Sequence, residues 1–357
     1  MSKTNGTIGK VNEFILLGFA VVWQVEIVFF ALLLVVYLLT ITGNVVIITA
    51  TWADHRLHSP MYFFLCNLSF LDAMVATAIA PKMTRDFLSK KKTISVSGCI
   101  SQCYFYFFLG TTEFILLAVM FLDRYVAICN PLRYSTIMNV RLTIQLLLVS
   151  WVGGFLSVLS PIIIISMLPF CGPNIIDHFF CDIEPLIRLS CADTSLLEMI
   201  EFSLSTIVLL SSLMLTVVSY VYIITTILRI SSSTGRKKTF STCASHITVA
   251  SVFYGSAIFM YIVPNKGFSF GLKKAVTLQT CVVTHLLNPF IYTLRNQQVK
   301  EVLKHAVSRV PKLSPTGSNE PGSNGHTGTN HESTYTTDSA VFSEQYTWHL
   351  EARSATH

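Results

Sequence analysis

Charged residues are scarce in this chain: only 12% of its 357 residues are Asp, Glu, Lys or Arg. Soluble domains carry about 25%, so most of this protein's surface faces something other than water. Hydrophobic residues make up 52% of the sequence, and lipid is the environment that tolerates long apolar helices with few charges. The length would suit two soluble domains, but the long apolar runs favour one membrane domain.

The sequence also shows no compact basic face, and we expect no cleavable signal peptide. The net charge is +6, but Lys and Arg occur in short scattered groups, which is typical of loops beside membrane helices. We therefore expect no nucleic-acid partner. The first 22 residues hold only a short apolar patch, 14–22, without a convincing cleavage site. The first spanning helix is expected to act as the targeting signal.

Seven apolar stretches are long enough to cross about 30 Å of hydrocarbon, which takes roughly 20 helical residues. Each must be helical, because a lone strand would leave its backbone groups unpaired in lipid. The stretches are 24–50, 59–81, 98–128, 142–166, 198–228, 239–263 and 273–294. The sequence therefore predicts an all-α membrane protein, a seven-transmembrane helix bundle. Lipid is one expected partner.

Polar residues inside these stretches indicate a bundle with a polar interior. Most stretches contain Gly, Pro or a polar side chain, including Asp72, Glu113 and His246. Such groups are costly against lipid and face the inside of a bundle. This pattern favours a receptor, transporter or channel over a simple anchor.

The orientation rests on glycosylation and cysteine rather than on charge. Lys and Arg are divided almost evenly between the two sides, so the positive-inside rule decides little. Asn5 begins a glycosylation sequon, which requires a lumenal N-terminus. Four cysteines cluster on that same side, where disulfides form. They are Cys99, Cys171, Cys181 and Cys191. Four cysteines allow three pairings, and the spacing does not choose among them.

The segments outside the spans have distinct compositions. Residues 1–23 are expected outside the cell and 24–294 form the predicted receptor domain. In 295–308 apolar residues recur at the spacing of one helical face, which predicts a short amphipathic eighth helix on the inner membrane surface. Residues 309–357 are rich in Ser, Thr, Gly and Asn and are expected to form a disordered cytoplasmic tail.

Five ordered motifs carry a family resemblance. The third stretch ends in Met-Phe-Leu-Asp-Arg-Tyr-Val-Ala-Ile-Cys, residues 120–129. The others are 60–65 with Asp72, Ser219-Tyr220, 238–246 and 288–292. Together they resemble the olfactory receptor family of rhodopsin-like, G-protein-coupled receptors, over about residues 10–308. The chain departs from the usual pattern at Phe121, Leu122 and Thr239, and in its long tail.

The resemblance implies a switch at the inner end of the third helix. Arg124 of the triplet Asp123-Arg124-Tyr125 would be held by Asp123 in the silent receptor. It would be released when the sixth helix swings outward, and would then contact the G protein. A charge pair at the bilayer edge suits such a two-state element. Tyr220 and Tyr292 would settle near Arg124 in the active state, or would be ordinary tyrosines of the membrane interface.

Two carboxyl groups lie in mid-membrane positions, at Asp72 and Glu113. The resemblance implies a small sodium pocket that also includes Asn44 and Asn288, and oxygen ligands suit a hard cation. The alternative is one protonated acid hydrogen-bonded to the other. A catalytic pair is not expected, because no nucleophile or substrate cleft is indicated. We expect no cofactor beyond this sodium ion.

The resemblance also implies a disulfide framework of Cys99 with Cys181 and Cys171 with Cys191. The run 178–182 could be read as a metal site, but a disulfide would consume Cys181. The remaining cysteines are expected to be free and buried as small apolar groups. They are Cys66, Cys103, Cys129, Cys243 and Cys281.

A ligand pocket is predicted in the outer half of the bundle. Phe107, Gly110 and Thr111 lie at i, i+3 and i+4 and share one helical face. Residues at similar depth on the fifth and sixth helices complete a mostly apolar cavity of the kind that binds small molecules. They are Ser205, Val208, Ala257, Ile258 and Tyr261. The alternative is that these residues only pack helix against helix.

The resemblance leads to one function and leaves two rivals. The expected function is a non-enzymatic receptor of the plasma membrane that binds a small volatile ligand, an odorant, and raises cyclic AMP through a stimulatory G protein. An amine or peptide receptor is one rival, but Tyr106 stands about where amine receptors carry a carboxylate. A transporter is the other, but inverted repeats and paired broken helices are not found.

Overall fold

The computed structural model describes residues 11–18, 22–171, 173–229, 232–261, 270–295 and 297–308. Its helices, in chain order, are α1 Trp23–Ala53, α2 Pro60–Phe87, α3 Val96–Cys129, α4 Tyr134–Ile137, α5 Val140–Met167, α6 Ile183–Ile187, α7 Ser195–Leu228, α8 Ser233–Tyr261, α9 Phe270–Leu278, α10 His285–Arg295 and α11 Gln297–Ser308. Three short strands are β1 Glu13–Leu16, β2 Thr93–Ser95 and β3 Ile175–Ile176. Asn5 and the tail 309–357 lie outside the described residues.

The predicted seven spans correspond to α1, α2, α3, α5, α7, α8 and the combination of α9 with α10. Within the described residues, the first five are long and apolar enough to cross a membrane on their own. In α8 the apolar part is shorter, Ile247–Met260, because the helix begins with a polar segment. The seventh span is interrupted by a π-helical turn, Gln279–Thr284, between α9 and α10. The architecture is a seven-helix bundle, as predicted.

Large apolar side chains cover the outside of the bundle. On α1 alone, Val28, Leu32, Val35 and Leu38 are each more than half exposed. Soluble monomers rarely present contiguous apolar surface of this extent. The exposed side chains therefore form the surface that meets lipid.

The helix α3 lies at the centre of the bundle, where it packs against α2, α5 and α7. Its contact with α5 is close because of Gly154. A Cβ atom at this position would lie 2.1 Å from the Thr112 Oγ1 and 2.9 Å from the Thr112 backbone nitrogen. Glycine therefore allows the two backbones to approach each other.

The starts of α3 and α5 are each explained by a side-chain cap. Ser95 caps α3 by accepting a hydrogen bond of 3.1 Å from the Gly98 N–H. Asn139 caps α5 in the same way, with a bond of 2.9 Å from the Leu142 N–H. Such caps satisfy backbone donors that have no partner within the helix.

The eighth helix of the prediction corresponds to α11. Its apolar face is buried: Val299 and Val302 are 2% and 6% exposed, and they join Leu57 in the main core. The helix therefore packs against the turn between α1 and α2 as well as presenting a polar face. We call this end of the bundle, which also carries Arg124, the Arg124 end.

The opposite end, which we call the disulfide end, carries a small sheet that the sequence did not predict. Strand β1 lies between the other two: it is antiparallel to β2, with Phe14 opposite Ile94, and parallel to β3, with Leu16 opposite Ile176. Phe14 is fully buried. The segment before α1 is thus part of the folded cap of the bundle.

Candidate functional site

At the Arg124 end, one carboxylate holds two partners. The Arg124 Nη2 donates to the Asp123 Oδ2 at 2.9 Å, and the Tyr134 hydroxyl donates to the Asp123 Oδ1 at 2.8 Å. Asp123 is almost completely buried, with 1% of its side chain exposed. Burial and the neighbouring Asp123 raise the pKa of Tyr134 above its usual range, so this phenol remains a donor at neutral pH.

Two tyrosines of the predicted switch, Tyr125 and Tyr220, pack against one apolar cluster. The Tyr220 ring is 6.2 Å from that of Phe121, and its buried hydroxyl has no hydrogen-bond partner among the described residues. The Tyr125 ring lies 5.6 Å from that of Tyr222. Tyr292 belongs to α10, but its side chain lies outside the described part of the structure.

In the middle of the bundle, Asp72 of α2 contacts two residues of α10. The His285 Nδ1 lies 2.7 Å from the Asp72 Oδ1. The Asn288 Nδ2 donates to both carboxylate oxygens, at 3.0 and 3.1 Å. His285 also lies 3.8 Å from the Glu113 Oε1 of α3. All four side chains are buried, so three spans meet here through a polar cluster.

Several oxygens of this cluster have no hydrogen-bond partner in the described structure. They are both carboxyl oxygens of Glu113 and the Oδ1 atom of Asn288. The Oδ1 atom of Asn44, a buried residue of α1 that the sequence analysis assigned to this pocket, also has no partner there. One ligand atom each from Asp72, Glu113 and His285 lie within 4.8 Å of one another. Oxygens of this kind suit a hard cation such as sodium, so the residues present fit the predicted ion. His285, which the sequence analysis did not include, already contacts one Asp72 oxygen.

On the disulfide side of this cluster the bundle contains a cavity lined mainly by residues of α3, α5, α7 and α8. Six of the eight residues predicted for the ligand pocket line it: Phe107, Gly110, Thr111, Ser205, Val208 and Ala257. Ile258 does not line it and packs beside Phe121, Leu209 and Tyr254 instead. The side chain of Tyr261 lies outside what the structure describes.

The cavity and the polar cluster share a boundary. Glu113 and His285 belong to the cluster and also line the cavity. Phe253 of α8 lies beside both, with its ring 6.4 Å from that of His285. A molecule in the cavity would therefore approach the same side chains that join the three central spans.

The disulfide end closes over the cavity. One bridge joins Cys99 to Cys181, with 5.3 Å between the Cα atoms, and a second joins Cys171 to Cys191, with 5.6 Å. The Cys181 N–H also donates to Gln102 of α3 at 3.2 Å. Cys181 of the loop between α5 and α7 is thus joined to α3 both by a disulfide and by a hydrogen bond.

Known proteins resemble this chain over most of its length. A family model described as "Olfactory receptor" matches residues 33–310. The chain belongs to the olfactory receptor family. It is 53% identical to human olfactory receptor 6J1 over 84% of this chain and 86% of that one. It is 51% identical to mouse olfactory receptor 6E1 over 86% of this chain and 98% of that one.

The fold of this olfactory receptor family member also matches a solved structure. A crystal structure of squid rhodopsin superposes with a TM-score of 0.64, covering 81% of this chain and 87% of rhodopsin at 16% identity. This likeness supports the seven-helix fold alone. Family membership makes the chain a G-protein-coupled receptor, not an enzyme.

The sequence analysis did not identify three residues of the receptor's site, Tyr134, His285 and Glu201. Tyr134 lies outside the spans, and its position next to Asp123 depends on the turn after α3. His285 lies three residues before Asn288, a helical spacing that indicated a shared face. Glu201 lines the cavity, and its place four residues before Ser205 on one helix was a similar signal.

Proposed function

We propose that this receptor binds a small volatile ligand, an odorant, in the cavity between α3, α5, α7 and α8. The observation that supports this is the cavity itself: it lies within the bundle, and its walls are mostly aliphatic and aromatic with a few hydroxyls. Small-molecule sites usually have this composition. The ligand-contacting residues we propose include Phe107, Gly110 and Thr111 of α3.

The proposed activation step connects the cavity to the Arg124 end. Helix α8 contributes Phe253 and Ala257 to the cavity wall and Cys243 to the apolar cluster beside Tyr220. A ligand that binds better when α8 has moved outward shifts the population towards that conformer. In that conformer Arg124 leaves Asp123 and becomes available to the G protein.

We further propose the cellular setting of this step. The partner is a stimulatory G protein that raises cyclic AMP. The receptor lies in the plasma membrane with 1–23 outside and 309–357 in the cytoplasm, Asn5 is glycosylated, and 24–294 is the receptor domain. Support for this orientation comes from the two bridges at the disulfide end, because disulfides form on the lumenal side.

We propose that the polar cluster binds sodium in the silent receptor. Asp72, Glu113, Asn44 and Asn288 would hold the ion, which would neutralise charge between the two acids. The oxygens without partners support this proposal. No cofactor enters the proposed mechanism.

The test is a screen of volatile compounds in cells that express the full chain and a cyclic AMP reporter. An active compound should lose its effect on the Arg124→Ala variant, while the amount of receptor at the cell surface is largely kept. Arg141→Ala is the matched control, since Arg141 is an exposed arginine at the same end of the bundle. A normal response from Arg124→Ala would contradict the proposed switch, and a receptor silent to every volatile would contradict the proposed ligand.

A further inference from the structure

One carboxyl group faces the cavity from α7. Glu201 lines the cavity together with Leu204 and Ser205. The structure shows no hydrogen bond or ion pair between this carboxyl and another residue that it describes. An ionisable side chain in a membrane span is costly, and such a group usually marks a functional site with a specific partner.

The surroundings of Glu201 are acidic. The charged groups near enough to act on it are Asp182, Glu184 and Glu198. Arg188 forms an ion pair with Glu184 at 2.7 Å, but both side chains are well exposed, at 68% and 47%. Solvent screens such a pair, so it offsets little of the negative potential at Glu201.

No lysine or arginine lines the cavity within the described residues, and the histidine that does, His285, is bonded to Asp72. The nearby Lys274 donates instead to the Asp177 carboxylate, at 2.5 Å, and to the Gly18 carbonyl, at 2.9 Å. A second carboxyl, Glu113, lines the other part of the cavity. It is fully buried and neither of its oxygens has a hydrogen-bond partner in the described structure.

The cavity therefore presents carboxyl groups, and neither lysine nor arginine, to the molecule that occupies it. A ligand that carries both a positive charge and a hydrocarbon group would complement this cavity. A metal ion supplies only the charge and would not fill the apolar space beside Phe107 and Val208. An alcohol supplies the hydrocarbon group and one hydrogen-bond donor, but it is uncharged and is not attracted by the negative potential at Glu201.

We propose that this receptor recognises primary amines, whose protonated ammonium group donates to the Glu201 carboxylate while the hydrocarbon chain lies against Phe107 and Val208. This inference rests on the proposed function of the cavity as the ligand site. It reverses the expectation drawn from Tyr106, because the carboxylate comes from α7 rather than α3.

The experiment compares ligands that share a carbon skeleton and differ only in the polar group. Hexylamine, hexanol and hexanal, with cyclohexylamine and cyclohexanol, are applied to the full-length receptor. Binding is measured as thermal stabilisation of the detergent-solubilised protein, and signalling as cyclic AMP in cells. We expect both amines to bind at least about tenfold more tightly than their alcohols, a difference of about 1.4 kcal/mol.

Two variants on α7 make the comparison specific. Glu201→Gln should remove the preference for amines, whereas Glu198→Gln should keep it, because the Glu198 side chain is exposed and bonded to Thr194. If Glu201→Gln does not fold, Glu201→Asp tests the same point: its shorter carboxylate should keep amine binding but favour a longer amine.

The outcomes separate this inference from the function on which it rests. If hexanol or hexanal binds and signals as well as the amines, or if Glu201→Gln keeps the preference for amines, the amine proposal is wrong and the odorant receptor stands. If no compound of any class binds or signals, both are wrong.

Discussion

The Tyr134 hydroxyl donates a hydrogen bond of 2.8 Å to the Asp123 carboxylate, which also holds Arg124. Replacing Tyr134 with Phe should raise signalling in the absence of ligand. The change leaves a buried carboxylate oxygen without a partner, and a hydrogen bond to a charged group is worth about 1.5–3 kcal/mol. The silent conformer would lose that stabilisation, so the active one becomes more populated.

The control for Tyr134→Phe is Tyr222→Phe. Tyr222 lies at the same end of the bundle, and its ring contact with Tyr125 survives the loss of the hydroxyl. Cyclic AMP without ligand, divided by the amount of surface receptor, is the measurement. Equal basal signalling in both variants would mean that Tyr134 does not restrain the switch.

Asp72 and Glu113 should be energetically coupled, because His285 lies within 3.8 Å of both. Asp72→Asn and Glu113→Gln should therefore act non-additively on thermal stability, by more than about 0.5 kcal/mol. Pairing Asp72→Asn with Glu198→Gln is the control, and these two effects should add. Strict additivity in the first cycle would show that the two acids do not share a proton or an ion.

Two glycines should respond in opposite ways to a methyl group. Gly154→Ala should destabilise the receptor by about 1–3 kcal/mol, because its Cβ would overlap Thr112. Gly110→Ala should fold normally, since a Cβ at Gly110 meets no atom within 4 Å. It should change ligand potency instead, as should the larger Gly110→Leu. Thermal stability and dose–response curves of all three variants are the measurements, and a stable Gly154→Ala would contradict the packing argument.

Loss of the bridge between α3 and the loop after α5 should prevent export. Replacing Cys99 or Cys181 with Ser should cost about 2–5 kcal/mol and sharply reduce surface receptor. Cys66→Ala is the control, since Cys66 is a free cysteine. Normal surface levels with Cys99 and Cys181 both replaced would show that the bridge is dispensable.

Acid should destabilise the folded protein through His178, a buried residue of the loop between α5 and α7. Burial, with a contribution from Lys274, lowers the pKa of His178 from 6.5 to about 4. Between these values the unfolded chain binds a proton that the folded one excludes, so stability is complete above pH 6.5 and falls as the pH drops towards 4. The loss is at most about 1.4 kcal/mol per pH unit. Melting temperatures of wild type and His178→Gln should converge as the pH falls through this range, and parallel curves would contradict the assignment.

Helical periodicity was sufficient to predict much of this molecule. Phe107, Gly110 and Thr111 lie on one continuous helix, so their position on a common face followed from spacing alone, and that face lines the cavity. Ile258 shows the limit of that reasoning. It is adjacent to Ala257 on α8, and only the rotation of α8 in the bundle decides that Ala257 faces the cavity and Ile258 packs beside Phe121.

Contacts between distant segments could not be predicted from local pattern. The pairing of Phe14 with Ile94 depends on how a loop folds over the bundle, and four residues give too weak an alternation to indicate a strand. His285 and Asp72 are separated by most of the chain, so their contact at 2.7 Å is a property of helix packing. Spacing could suggest that His285 faces inward, but not what it meets.

The central position of β1 in its sheet has a consequence for the order of assembly during synthesis. Leu16 leaves the ribosome early, yet its neighbour Ile176 is made only after α5, and the lysine that binds Gly18, Lys274, follows α8. Chains are made from the N-terminus onward, so the earliest strand waits for its second partner strand until about half of the polypeptide has been made. The sheet at the disulfide end can therefore be completed only after the first four spans have been made, and the contact of Gly18 with Lys274 only when the seventh span has begun.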